Sequence, residues 1–250
     1  MIGGRSIAPV RASVHWVLAA IVVWEVLEYL KDRGPQTLAD RPVGLVTILL
    51  LTVAPGLIAL GFVRLFLAVI QAGYGSLNAY TLTSSPPAWI FYAGLAIFLV
   101  GHGLHVGAHE LNAAVPEAVR HGEFGTQAAF FDESLGHWIS GLGLFAVNAV
   151  VLFIGQGSAP RVVGGEQALL VVGSLVTYGL SILYVGVQGH MLIPTLLGAA
   201  GLVAIGFRHL STWEVNHDPV SLLIIPGTAA AGLVLAAWSL VVGGQPTWPL

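Results

Sequence analysis

Seven stretches of this sequence stay apolar for about twenty residues each, the length a helix needs to cross a bilayer. They cover residues 12–31, 43–65, 88–109, 132–155, 166–187, 190–207 and 220–243. What remains cannot clothe a water-soluble surface, because 8% of the chain is charged where a soluble domain needs about 25%. Lipid must meet most of the outside. Backbone groups find no water in hydrocarbon, so the spans must be helices or a closed barrel, and long runs without strict alternation indicate helices. The expectation is an all-α integral membrane protein, a bundle of about seven transmembrane helices forming one domain over residues 1–250.

The second run contains Pro55 and extends toward Tyr74. The break between the fifth and sixth runs, "GVQGHML", is short enough for a tight helical hairpin or one broken helix. Polar turn chemistry separates the other runs, as in "KDRGPQTLADRP", "SSPP", "GQGSAPR" and "NHDP". The N-terminal stretch has the arginines of a signal peptide, but its apolar run is long, contains Glu25 and Glu28, and reads as a first span.

Several chemistries are excluded at once. The chain has no cysteine, so thiolate metal sites, iron–sulfur clusters and cysteine nucleophiles are out. Its one lysine, Lys31, lies too early for a late-span Schiff base, and a net charge of -3 offers nucleic acid no basic footprint. Alternating the spans puts Arg5, Arg11, Arg64, Arg161 and Arg208 on the N-terminal face and Lys31, Arg33, Arg41 and Arg120 on the other. That small excess points to a cytoplasmic N-terminus. The acids divide far more unevenly, with Glu25, Glu28, Asp32, Asp40, Glu110, Glu117, Glu123, Asp132 and Glu133 on the second face and only Glu166, Glu214 and Asp218 on the first.

Histidines share that second face. In "VGHGLHVGAHELN", His102, His105, His109 and Asn112 fall within an arc of roughly 80° at 100° per residue. Gly103 and Gly107 form a G-x-x-x-G pair on a neighbouring stripe, which suits close helix approach. The fourth run opens "FFDESLGHWISG", where Glu133 and His137 are four apart, Ser140 follows one turn later, and Asp132 sits where a helix dipole favours a carboxylate. His190 opens the sixth run, and Glu25 and Glu28 end the first, all at the same face.

Ionisable groups in a span are costly unless they meet a partner, a cavity or a metal. Imidazole with carboxylate suits zinc, or non-haem iron. His102, His105, His109, His137, His190 and Glu133 are therefore the candidate metal ligands for one or two ions. Asp132, Glu133 and Ser140 are candidate catalytic groups, and Glu110, Asn112, Glu25 and Glu28 candidate orienting groups behind the ligands. Competing readings are simpler: His15, His121, His209 and His217 bond backbone carbonyls or lie in loops, and Glu25 and Glu28 snorkel beside Lys31. Trp16, Trp89, Trp138, Trp213 and Trp248 lie near span ends as interfacial anchors.

Seven spans with histidines, an acid and a serine at one face resemble, in architecture, the superfamily of alkaline ceramidases and adiponectin-type receptors, zinc-dependent amide hydrolases of lipids. That superfamily places a histidine pair in its last span. Here the seventh run, "VSLLIIPGTAAAGLVLAAWSLVV", has no histidine, so no residue role is carried over. Membrane desaturases offer a second analogy, but their boxes use adjacent histidines. The expected function is a membrane metal-dependent hydrolase acting on a lipid or other apolar substrate. A di-iron oxidase, a proton or metal-ion transporter and a non-catalytic subunit of a membrane complex are the alternatives, and oligomerisation is compatible with all of them.

Overall fold

The computed structural model describes residues 8–31, 45–74, 84–114, 116, 119, 122–156, 161–208 and 215–246. Among them the regular structure is helical throughout: α1 (Ala8–Lys31), α2 (Leu45–Tyr74), α3 (Pro86–Ala114), α4 (Glu123–Gly155), α5 (Gly165–Gln188), α6 (Leu192–Phe207) and α7 (Pro219–Val242). Six of these are long and apolar enough to cross a membrane. The exception is α6, whose 16 residues span about 24 Å at 1.5 Å per residue, less than the roughly 30 Å of a hydrocarbon core. Ala8, Lys31, Leu45, Leu51, Tyr74, Asn112, Ala113 and Ala114 are placed by backbone alone. Arg5, Arg33, Arg41, Glu117, Arg120, His121, His209, Trp213, Glu214 and Trp248 lie outside the described residues.

The surface is what a lipid-facing chain requires. Between 39% and 56% of each candidate span is buried, and the outward side chains are apolar, as with Leu233, Leu240 and Val241. Contacts between helix ends follow the alternating order. At the N-terminal face Arg11 pairs with Glu166, Gln167 donates to the Asn216 carbonyl, and Val162 donates to that of His217. At the opposite face Gln245, beyond α7, bridges Leu192 N and the Gly186 carbonyl.

Helix α3 packs most extensively on α4, α5 on α7 and α1 on α2. The first seam is built on absent side chains. A Cβ on Gly143 would strike Phe98 N and come within 2.5 Å of the Gly94 carbonyl, and one on Gly101 would overlap Ser140 N. At the end of the same seam a Cβ on Gly136 would lie 2.6 Å from His105 Cβ. These glycines let two backbones touch and set His105 against the start of α4. Gly103 and Gly107, which the spacing picks out as a packing pair, have no atom within 4 Å of an added Cβ and lie exposed. The correction is one of phase: the seam runs through Gly94 and Gly101, seven apart.

The start of α4 also departs from expectation. The helix begins nine residues before Asp132, and residues Phe130–Leu135 form a π-helical turn inside it. Asp132 is therefore not at a helix N-terminus, and the dipole does not explain its placement. "GVQGHML" likewise resolves into two helices, broken at Gly189–Met191 with His190 at φ 51°.

Helix α7 is delimited by its own sequence. Asp218 caps it by accepting from Ser221 N at 2.8 Å, with Pro219 at the first helical position. Gly243, at φ 71°, closes the other end. Asp218 lies just before the span and is buried, and burial pushes its carboxyl up to about 6 despite the cap bonds. Because the folded value is raised, the folded state holds this proton over a pH range in which the unfolded chain has released it. Stability is therefore fullest below the ordinary value of 3.8 and falls as pH rises through about 6, by about 3 kcal/mol. Thermal midpoints in detergent between those limits are expected to show this loss, and Asp218→Asn, which still caps, is expected to flatten it.

Candidate functional site

Four side chains from α3 and α4 meet at the second face. His105 Nδ1 lies 3.0 Å from Asp132 Oδ1 and 2.9 Å from the Asp132 carbonyl oxygen. His109 Nδ1 lies 3.2 Å from Asp132 Oδ2. His137 Nδ1 lies 3.1 Å from the same Asp132 carbonyl, and the His105 and His137 rings are 4.1 Å apart, edge to face. One residue thus receives three imidazoles, through its carboxylate and its backbone.

These acceptors fix the tautomers. A carbonyl oxygen only accepts, so His105 and His137 donate from Nδ1, and a carboxylate asks the same of His109. In each neutral ring the lone pair then belongs to Nε2. This is the arrangement in which histidine is presented to a metal or acts as a base, its other nitrogen held by a carboxylate or carbonyl.

The acid that takes part lies within the π turn: the Asp132 carboxylate, not that of Glu133, meets His105 and His109. Ordinary helical spacing pairs Glu133 with His137, four residues on. A π-helix closes from i to i+5, and here His137 reaches back five residues to Asp132. Asp132 is buried while Glu133 is exposed. Single π turns inside α-helices occur frequently at functional sites.

The other face of this network is a small polar pocket between α1, α2 and α3, lined by Glu28, Thr47, Leu50, His105, Val106, His109 and Glu110. His105 and His109 belong to both. Two imidazoles and two carboxylates therefore border one space, with Asp132 behind the imidazoles. Among the described residues no group of three or more His, Cys, Asp or Glu side chains is already arranged to hold a metal ion.

The remaining candidates lie apart from Asp132. His102 is buried and donates from Nε2 to the Leu50 carbonyl at 2.9 Å, the opposite tautomer, with Trp24 edge-on to its ring. It joins α3 to α2. His190 is exposed at the α5–α6 turn, next to Gly189, whose added Cβ would lie 2.7 Å from His137 Cβ. Trp138 ties this turn down by donating to the Gly189 carbonyl at 2.8 Å. Ser140 Oγ donates to the His137 carbonyl at 3.2 Å, and Glu25 accepts from Ser181 Oγ at 2.7 Å.

Some participants give no local signal. Thr47 and Tyr184, whose ring centroid is 5.6 Å from that of His137, come from helices with no histidine motif. Ser181 belongs to a buried polar stripe on α5 with Ser174, Thr177 and Tyr178, whose helical spacing is the one signal that could have found it. No protein-family model, curated protein or solved structure matches the chain.

Proposed function

We propose that this chain is a seven-helix membrane enzyme that uses a metal ion, zinc or iron, to hydrolyse a lipid or other apolar substrate at the second face. The observation that carries this reading is the double role of His105 and His109: Asp132 holds their Nδ1 protons while the same rings line a pocket with Glu28 and Glu110. Imidazole and carboxylate are the donors zinc and non-haem iron favour. His105 and His109 would hold the ion with Glu28 or Glu110 completing the set, which entails rotamer shifts of those two half-buried acids. Bound there, the ion would supply Lewis-acid polarisation and activation of water.

The protein's own residues supply the rest. Asp132 orients the imidazoles and keeps their protons on Nδ1. His137, buried beside His105, holds the π turn in place from the α4 side. The carboxylate not occupied by the ion would take a proton. Incubated with a mixture of ester- and amide-linked acyl lipids in detergent, the purified protein is expected to release free fatty acid, to stop on chelation and to recover on adding zinc.

A carrier is the second reading. It is favoured by polar pairs that continue past the cluster, from part-buried Glu25 with Ser181 to buried Tyr178 with Asn148. Proton or metal flux into liposomes, without hydrolysis of any lipid, would replace the enzyme with that carrier.

A further inference from the structure

Helices α1 and α2 leave a groove between them, lined by Trp16, Ala19, Ala20, Val23 and Leu57. Trp16, Ala19 and Val23 are exposed, so the groove opens outward from the bundle. Its volume is about 130 Å³. A cavity of about 150 Å³ admits a benzene molecule, so a stretch of hydrocarbon chain fits here.

One end of the groove carries a charge. The two helices run antiparallel, with Gly61 of α2 against Trp16 and Val17 of α1. Arg64, three residues further toward the N-terminal face, sets its guanidinium over the Trp16 ring, 5.2 Å from the centroid. Trp16 therefore belongs to the groove and to the arginine at once. Leu57, Ala19, Ala20 and Val23 continue the groove away from that end.

Depth decides what the arginine meets. On the outward face of α2, Val53 and Leu60 are apolar, Arg64 follows, and the next exposed residue is Gln71. Arg64 thus stands where the outward surface turns from apolar to polar, the depth at which lipid headgroups meet a membrane protein. It is exposed, and among the described residues it has no carboxylate partner. An arginine at the edge of the hydrocarbon needs an anion, and the headgroup layer supplies phosphate.

We propose that this groove binds an anionic phospholipid, with the headgroup phosphate on Arg64 and one acyl chain laid over Ala19, Ala20, Val23 and Leu57. A guanidinium presents two parallel N–H donors to phosphate. A net-anionic lipid is favoured over a zwitterionic one, because choline or ethanolamine would set a second cation beside Arg64. The rest of this face agrees in sign. Arg161 and Arg208 accompany Arg64, while Glu166 is taken by Arg11 and Asp218 is buried at its cap. The groove's charged end lies at the opposite face from His105 and His109, so the lipid is a structural one and does not rest on the hydrolase reading.

The test is native mass spectrometry of the full chain in detergent, titrated with phosphatidylglycerol or with phosphatidylcholine of the same acyl chains. Phosphatidylglycerol is expected to be retained in preference. Arg64→Gln is expected to weaken it about tenfold, the worth of one hydrogen bond to a charged group, and Arg208→Gln to leave it unchanged. Phosphatidylglycerol with a diazirine midway along one acyl chain is expected to label Ala19, Val23 and Leu57. That labelling is expected to be lost in Ala19→Trp, whose ring fills the groove, with circular dichroism as in the wild type. Equal retention of phosphatidylcholine, or an affinity indifferent to Arg64→Gln, would overturn the phosphate contact. Labelling unaltered by Ala19→Trp, or a dimer of the chain that shuts lipid out from between α1 and α2, would overturn the site.

Discussion

Asp132→Asn is expected to weaken zinc binding by about 10–100-fold, the usual effect of removing a group that orients metal-ligating histidines, while the helices stay folded. The carboxylate accepts from two imidazoles at once, His105 through Oδ1 and His109 through Oδ2. An amide of the same shape has one acceptor and one donor. It can satisfy one ring, but it turns an N–H toward the other. That second ring must present its Nδ1 lone pair and carry its proton on Nε2, which removes it as an Nε2 ligand. Competitive titration with a zinc indicator measures the change. Circular dichroism checks that helix content is kept. An unchanged affinity would mean that Asp132 is a packing partner and nothing more.

The largest effect on stability is expected at the α3–α4 seam. Gly143→Val places its Cβ against Phe98 N and the Gly94 carbonyl, both backbone atoms that cannot rotate away. Overpacking of this kind costs about 3 kcal/mol or more, and thermal unfolding in detergent reads it directly. The same variant is expected to lose metal, because the seam that parts is the one carrying His105 and His109 on one side and Asp132 and His137 on the other. Gly103→Ala is the control. Its Cβ meets nothing within 4 Å, so replacing a helical glycine there is expected to be neutral or stabilising, by up to about 1 kcal/mol. Equal losses from both variants would show that the seam has been drawn on the wrong stripe.

The helices were legible because their signal is additive: long apolar runs leave little room for another reading, six of the seven proving long enough to cross a membrane, and caps such as Asp218–Pro219 and Gly243 mark an end by local chemistry. Which glycines pack was not legible, because Gly101 and Gly103 look alike until the neighbouring helix chooses a side. His105, His109 and His137 could be grouped from helical phase and span order alone. Asp132 and Glu133 could not be told apart, since the π turn that advances the register by one residue has no distinctive sequence. His102 shares the stripe with His105 and His109, yet its ring turns to the Leu50 carbonyl. Helical phase assigns a face, and the partner within reach assigns the role. Glu28 and Ser181 acquired their surroundings only from tertiary packing, across distances in sequence that no spacing rule covers.

The central claim is that the His105/His109 pocket, backed by Asp132, holds a metal ion in a membrane enzyme. Elemental analysis of the purified wild-type protein tests it most directly. The expected result is about one zinc or iron ion per chain, lost in His105→Ala and in His109→Ala but retained in His102→Ala, whose ring is committed to α2. Metal-free wild-type protein that takes up neither ion on titration would contradict the claim, as would a bound ion that survives removal of both His105 and His109.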